Sequence, residues 1–127
     1  MKVGDIYWAE LPEVGGREQH GLRPVVVLQD KNYTRRLPTI LVVPLTSTRA
    51  ALQFAGTLPI AKTAQNGLSY DSVLLVFQIR VLDKNRFHER MGELSAQMLD
   101  QIFAELDRLS GRTSQPGASR PAQDDQS

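Results

Sequence analysis

Two runs of apolar, largely β-branched residues, Pro24-Val-Val-Val-Leu28 and Thr39-Ile-Leu-Val-Val43, set the narrowest limit on what this chain folds into. A helix buries one stripe and a half-exposed strand alternates, so an unbroken apolar run this short belongs to a strand covered on both faces. Pro24 suits a strand start, where its missing N–H does least harm, and it biases Arg23 towards an extended backbone at the loop–strand junction. Pro44 is expected to end the regular ladder of the second run, leaving the three hydroxyls of Thr46, Ser47 and Thr48 just beyond it.

The remaining elements group around this pair. Residues 5–11, rich in strand formers and halted by Pro12, read as a first strand, and 12–21, with Gly15, Gly16 and mixed charges, as a loop. Residues 30–38 form a polar connection. A strand with an interior glycine is expected within 52–60, a turn at Asn66-Gly67, and one long strand over 72–80. Residues 83–87 suggest a turn or a single helical turn, and 87–92 a short strand. From Ser95 the period changes: Met98, Leu99, Ile102, Phe103, Leu106 and Leu109 fall at helical spacing, with Ser95 as N-cap and Gly111 as the stop. Many short strands and one late helix predict a mainly β fold, a small barrel with a C-terminal α-helix. A length of 127 residues fits one domain, over 1–111; residues 112–127, lacking any large apolar side chain, read as a disordered tail.

Composition excludes several classes. Apolar residues at 41% and charged residues at 23% are ordinary for a globular chain. With no cysteine there is neither a disulfide framework nor a thiolate metal site, which suits a reducing cytosol. No apolar stretch matches a signal peptide or a membrane span, so the expectation is a cytoplasmic protein without membrane contact. Net charge is only +1, yet between Arg17 and Arg90 eleven Lys and Arg face five Asp and Glu, whereas residues 91–109 hold four acids and one Arg. A polyanion would prefer the middle, although the same pattern also describes an ordinary solvated surface.

Familiar catalytic sets are missing: there is no P-loop, GxGxxG, HExxH or GxSxG, and the two histidines, His20 and His88, share no motif. No spaced cluster offers three metal ligands, so neither a metal nor a cofactor is expected. What remains is Arg23, pinned by Pro24, and the hydroxyl cluster at 46–48. A guanidinium offers permanently charged bidentate donors to phosphate oxygens, and a hydroxyl adds a neutral donor. Each feature also has a plain reading, an ion-pairing surface arginine and a turn-capping threonine.

Residues 4–8 (Gly-Asp-Ile-Tyr-Trp), 18–28 (Glu-Gln-His-Gly-Leu-Arg-Pro-Val-Val-Val-Leu), 43–46 (Val-Pro-Leu-Thr) and 78–84 (Gln-Ile-Arg-Val-Leu-Asp-Lys), in this order, resemble toxins of the MazF/PemK/Kid type over roughly residues 4–109. The pairing of the 21–28 segment with Pro-Leu-Thr at that distance is more specific than either alone.

The resemblance implies an SH3-like barrel of about five to seven strands with a C-terminal helix, a homodimer, and sequence-specific, metal-independent cleavage of single-stranded RNA. In such a reaction the ribose 2′-hydroxyl attacks its own phosphodiester and leaves a 2′,3′-cyclic phosphate and a 5′-hydroxyl. By matched position, Arg23 and Thr46 are the implied catalytic pair. Glu18 is either the base or a carboxylate that orients Arg23. Gln19, Phe77, Gln78, Arg80, Lys84 and Arg86 are implied RNA-binding residues, and Gln78 and Arg80 would share one strand face. The implied partners are mRNA and a cognate MazE-like antitoxin, with DNA met only through the antitoxin complex.

One departure is chemical. Many relatives carry an acid where this chain has Phe77, so a scheme using that carboxylate does not operate here. Phe77 either stacks on a base or turns into the core. Two other functions remain open at this level: a gyrase poison of the CcdB kind, and a catalytically silent RNA- or protein-binding barrel. The first relies on a Trp-Gly-Ile ending, and here the helix ends at Leu109-Ser-Gly111.

Overall fold

The computed structural model describes residues 1–12 and 20–112. Among them seven strands run β1 (Asp5–Leu11), β2 (Gly21–Val27), β3 (Thr39–Thr46), β4 (Thr57–Ile60), β5 (Ser72–Leu75), β6 (Arg80–Asp83) and β7 (Phe87–Glu93). One turn of helix, α1 (Lys31–Thr34), joins β2 to β3, and α2 (Ala96–Leu109) closes the described chain. The expected mainly β class with a C-terminal helix is what folds. All ladders are antiparallel, in the order β4-β5-β3-β2-β1-β7, with β6 also on β3.

The valine run explains the double-sided core. Val26 and Leu28 enter a cluster with Ile6, Val43, Leu45, Leu74 and Ile102, and α2 covers it with Met98, Leu99 and Leu106. Val25 and Val27, on the alternate face, enter a second cluster with Ala9, Leu11, Ile40, Val42 and Leu82. Burying both faces of one strand requires an apolar residue at every position, as the sequence has.

Pro44 does not end β3. It is buried and pairs with Val25 inside the strand. The Leu28 N–H donates to the Leu41 carbonyl, which makes Leu28/Leu41 and Val26/Val43 the hydrogen-bonded pairs and turns the Pro44 nitrogen away from β2. On that other side the ladder is already interrupted. Leu45 pairs with Leu74 and Val42 with Arg80, so β3 advances three residues while its partner advances six. The extra residues form a 3-10 turn, Val76–Gln78. The single strand expected over 72–80 is thus two strands, and Gln78 and Arg80 do not share a strand face. The 52–60 expectation is also corrected: Arg49–Gln53 is a 3-10 turn, and Gly56, at φ +78, precedes β4.

No ladder joins the sheet's two ends among the described residues; backbone contact closes the gap instead. The Glu93 N–H donates to the Gln65 carbonyl. Buried Asn66 shapes that turn, accepting from the Thr63 and Leu68 N–H groups and donating to the Ala61 carbonyl. Gly67 and Gly92 meet there, since a Cβ on Gly67 would lie 2.1 Å from the Met91 carbonyl oxygen and one on Gly92 2.4 Å from that of Gln65. Ser95 caps α2, accepting from the Met98 N–H, and Gly111 takes φ +80 just past its end, both as expected.

Candidate active site

Arg23 stands on β2 across from Ala9 of β1, with Pro24 opposite Trp8. Continuing the β2–β3 register two residues beyond Val25 and Pro44 sets Arg23 opposite Thr46. Both line a cleft of about 270 Å³. Positions two apart along a strand share a face, so the proline that fixes the entry of β2 also fixes where the guanidinium projects. An Arg23 Nη1 donates to the Leu22 carbonyl, 3.2 Å away.

Thr46 is half-buried at the end of β3. Its hydroxyl oxygen accepts from the Thr48 N–H at 3.2 Å, which pins the side chain and leaves its own hydrogen to donate. Ser47 and Thr48 follow it into the cleft, and Ser69 and Ser72 line the opposite wall. The Ser72 hydroxyl donates to the Tyr70 carbonyl. Tyr70 lines the same cleft with its ring 69% exposed, and Trp8 lies there half-buried. An arginine, a row of hydroxyls and two aromatic rings around one cleft supply phosphate donors beside surfaces on which a base can stack.

The other expected residues divide. Glu18 and Gln19 lie outside the described residues, as does the tail beyond residue 112. Arg80 donates from Nη2 to the Pro12 carbonyl, just past the end of β1. Gln78 sits half-buried on the 3-10 turn. Phe77 neither enters the core nor lines the cleft; its half-exposed ring packs on Phe54, centroids 5.9 Å apart. Lys84 and Arg86 belong to a 3-10 turn before β7, and Lys84 lines a separate cleft. Trp8, Ser69 and Tyr70 were missed by sequence reasoning. The one weak signal was a serine and a tyrosine just after the Asn66-Gly67 turn, where no core position calls for an aromatic ring.

Among the described residues no three His, Asp or Glu side chains stand close enough together to hold a metal ion, and no helix is long and apolar enough to cross a membrane.

Residues 2–110 match the family model described as PemK-like, MazF-like toxin of type II toxin–antitoxin system. The chain is 36% identical over 107 residues to endoribonuclease MazF of Staphylococcus saprophyticus, covering 84% of this chain and 88% of the relative. It is 35% identical over 102 residues to endoribonuclease EndoA of Bacillus subtilis, covering 80% and 87%. A crystal structure of MazE–MazF from Deinococcus radiodurans superposes with a TM-score of 0.68 at 27% identity, covering 89% of this chain and 97% of that one. With a family match over nearly its whole described length, relatives above one-third identity and the same sheet-and-helix fold, the chain belongs to the PemK/MazF family of type II toxin–antitoxin toxins.

Proposed function

We propose that this chain is a sequence-specific, metal-independent endoribonuclease that cleaves single-stranded mRNA in the cytoplasm, acting as the toxin of a toxin–antitoxin pair through one unit spanning residues 1–111. The observation that supports this reading is that Arg23 and Thr46 line one cleft together with Trp8 and Tyr70.

The RNA supplies the nucleophile. Its 2′-hydroxyl attacks the adjacent phosphorus, the P–O5′ bond breaks, and the products are a 2′,3′-cyclic phosphate and a 5′-hydroxyl. Negative charge builds on the non-bridging oxygens of the phosphorane. Arg23 meets it with a permanently charged fork, and the Thr46 hydroxyl donates to one of the same oxygens. A permanently charged guanidinium donates protons poorly and accepts none, so the base falls to another group. We assign it to Glu18, which precedes Arg23 by five residues in the sequence. Gln19, Gln78, Arg80 and Arg86 are assigned to holding the RNA strand on either side of the scissile position.

A homodimer and a MazE-like antitoxin complete the proposal. Phe54, Phe77 and Leu109 form an apolar patch beside Gly56, where a Cβ would touch both the Phe77 and Leu109 side chains. A second copy of the chain covers this patch. An acidic antitoxin segment blocks the Arg23 cleft, and DNA is met only through that complex.

Purified protein incubated with single-stranded RNA and excess EDTA should yield fragments ending in cyclic phosphate, while single-stranded DNA of the same sequence stays whole. RNA left equally intact by the wild type and by Arg23→Ala would end the nuclease reading.

A further inference from the structure

A second cleft lies away from Arg23. It measures about 660 Å³ and is lined by Lys2, Lys31, Arg35, Lys84 and Arg90 around the single carboxylate of Asp5. Ile40 marks its position near the start of β3, six residues from Thr46, which puts it about 20 Å along the strand at roughly 3.3 Å per residue.

Its two walls differ in charge balance. On one, Lys2 and Arg90 are paired with Asp5 and Glu93 in a closed ring, with contacts of 2.8–3.3 Å. That wall is neutral and braced. On the other, Lys31 and Arg35 stand four residues apart on and beside α1, a spacing at which like charges repel. The Lys84 N–H donates to the Pro38 carbonyl, so the turn carrying Lys84 is tied to the exit of the α1 connection. Lys31, Arg35 and Lys84 have no carboxylate partner among the described residues, whereas Arg108 on α2 and Arg112 just beyond it pair with Glu105 and Asp107. Tyr7 forms part of the lining and is held edge-on against Phe87, centroids 6.0 Å apart. Three cations without a carboxylate partner, gathered in a concave surface beside Tyr7, attract a polyanion.

We propose that this cleft is a second RNA-backbone site, binding phosphates of the substrate strand that lie outside the cleavage word. The inference rests on the ribonuclease reading and assigns the parts of the substrate strand beyond the stretch given there to Gln19, Gln78, Arg80 and Arg86.

The test uses two single-stranded RNAs, the mapped cleavage word alone and the same word with long flanks, and compares the wild type with Lys31→Gln/Arg35→Gln. A second variant of equal charge, Lys62→Gln/Arg112→Gln, controls for net charge. The cleft variant should cleave the short RNA at the wild-type rate and the flanked RNA with a lower kcat/KM, and the charge control should change neither. Binding is read separately on RNAs with a 2′-deoxy residue at the cleavage position. For the flanked strand, the slope of log affinity against log salt should be shallower by about 1.4 in the cleft variant, at roughly 0.7 per lost phosphate contact. Equal kcat/KM and equal slopes for the cleft variant and the wild type on flanked RNA overturn the proposal while leaving cleavage intact. Loss of affinity for an oligo-glutamate peptide with unchanged affinity for flanked RNA overturns it in favour of an acidic protein segment. Absence of cleavage of both all-ribose RNAs by the wild type is the failure of the ribonuclease reading itself.

Discussion

Arg23 and Thr46, each two residues beyond the last β2–β3 pair, Val25 with Pro44, line one cleft. A guanidinium and a hydroxyl lining one cleft can donate to the oxygens of the same phosphate. Arg23→Ala should lower single-turnover cleavage by about 100- to 1,000-fold, the usual loss for one donor to a developing oxyanion. Arg23→Lys should recover little of it, because a point charge does not reproduce a bidentate fork. Thr46→Val keeps the shape and removes the donor, so it should act on kcat with little change in melting temperature. A wild-type kcat in Thr46→Val removes that hydroxyl from the reaction.

Acid stability depends on Asp5. Burial pushes its carboxyl up, but the Lys2 N–H, the Lys2 ammonium and Arg90 outweigh burial and hold it below the ordinary carboxylate range. A carboxyl lowered on folding stabilises the fold above its unfolded pKa, and that contribution fades as pH drops below about 4 towards the folded value. Asp5→Asn should therefore cost about 1–3 kcal/mol at pH 7. Melting curves at pH 7 and pH 2.5 check this: the gap between the two proteins narrows at low pH, and a gap independent of pH assigns Asp5 no such role.

Much of the architecture was legible in the chain. The β-branched runs gave strands buried on both faces, and the stripe from Met98 to Leu109, with Ser95 before it and Gly111 after, gave the helix. What local pattern did not show is the interruption at Pro44. A proline inside a strand is tolerated only where its nitrogen faces a gap, and that gap exists because residues 76–78, more than thirty positions on, leave the ladder at the same level. Periodicity over 72–80 is continuous and carries no sign of the kink. Arg23 and Thr46 were placed from local signals and family likeness, and the fold brings both to one cleft. The separation of Lys84 from them depends on how β3 spans the sheet, with one cleft at each end, and charge counting along the chain does not resolve two sites from one.

Glycine at 67 and 92 closes the sheet. Alanine at Gly67 meets the Met91 carbonyl and a left-handed backbone at φ +70; alanine at Gly92 meets the Gln65 carbonyl. Either should cost at least about 2 kcal/mol, because backbone rather than a flexible side chain must yield. Gly21 has φ +83 but open space around it, so Gly21→Ala should cost only about 1 kcal/mol. Thermal unfolding of the three variants should rank Gly21→Ala well above the other two.

The apolar patch of Phe54, Phe77 and Leu109 predicts how association responds to charge. Each side chain is about 40% exposed in the single chain, so a polar replacement removes little from the monomer's own core. In a dimer that buries them, a well-packed aromatic anchor is worth about 2 kcal/mol or more, roughly 30-fold in Kd. Phe77→Lys and Leu109→Lys should each move sedimentation from dimer towards monomer at micromolar concentration while far-UV circular dichroism stays unchanged. Phe54→Leu, which keeps the patch apolar, should remain dimeric. The Phe77 ring packs on Phe54 outside the Arg23 cleft, so it adds apolar area to the patch. Cleavage by Phe77→Lys should then fall in proportion to the dimer lost and recover as protein concentration rises. A loss of activity that persists at concentrations where the variant is fully dimeric would place Phe77 on the RNA.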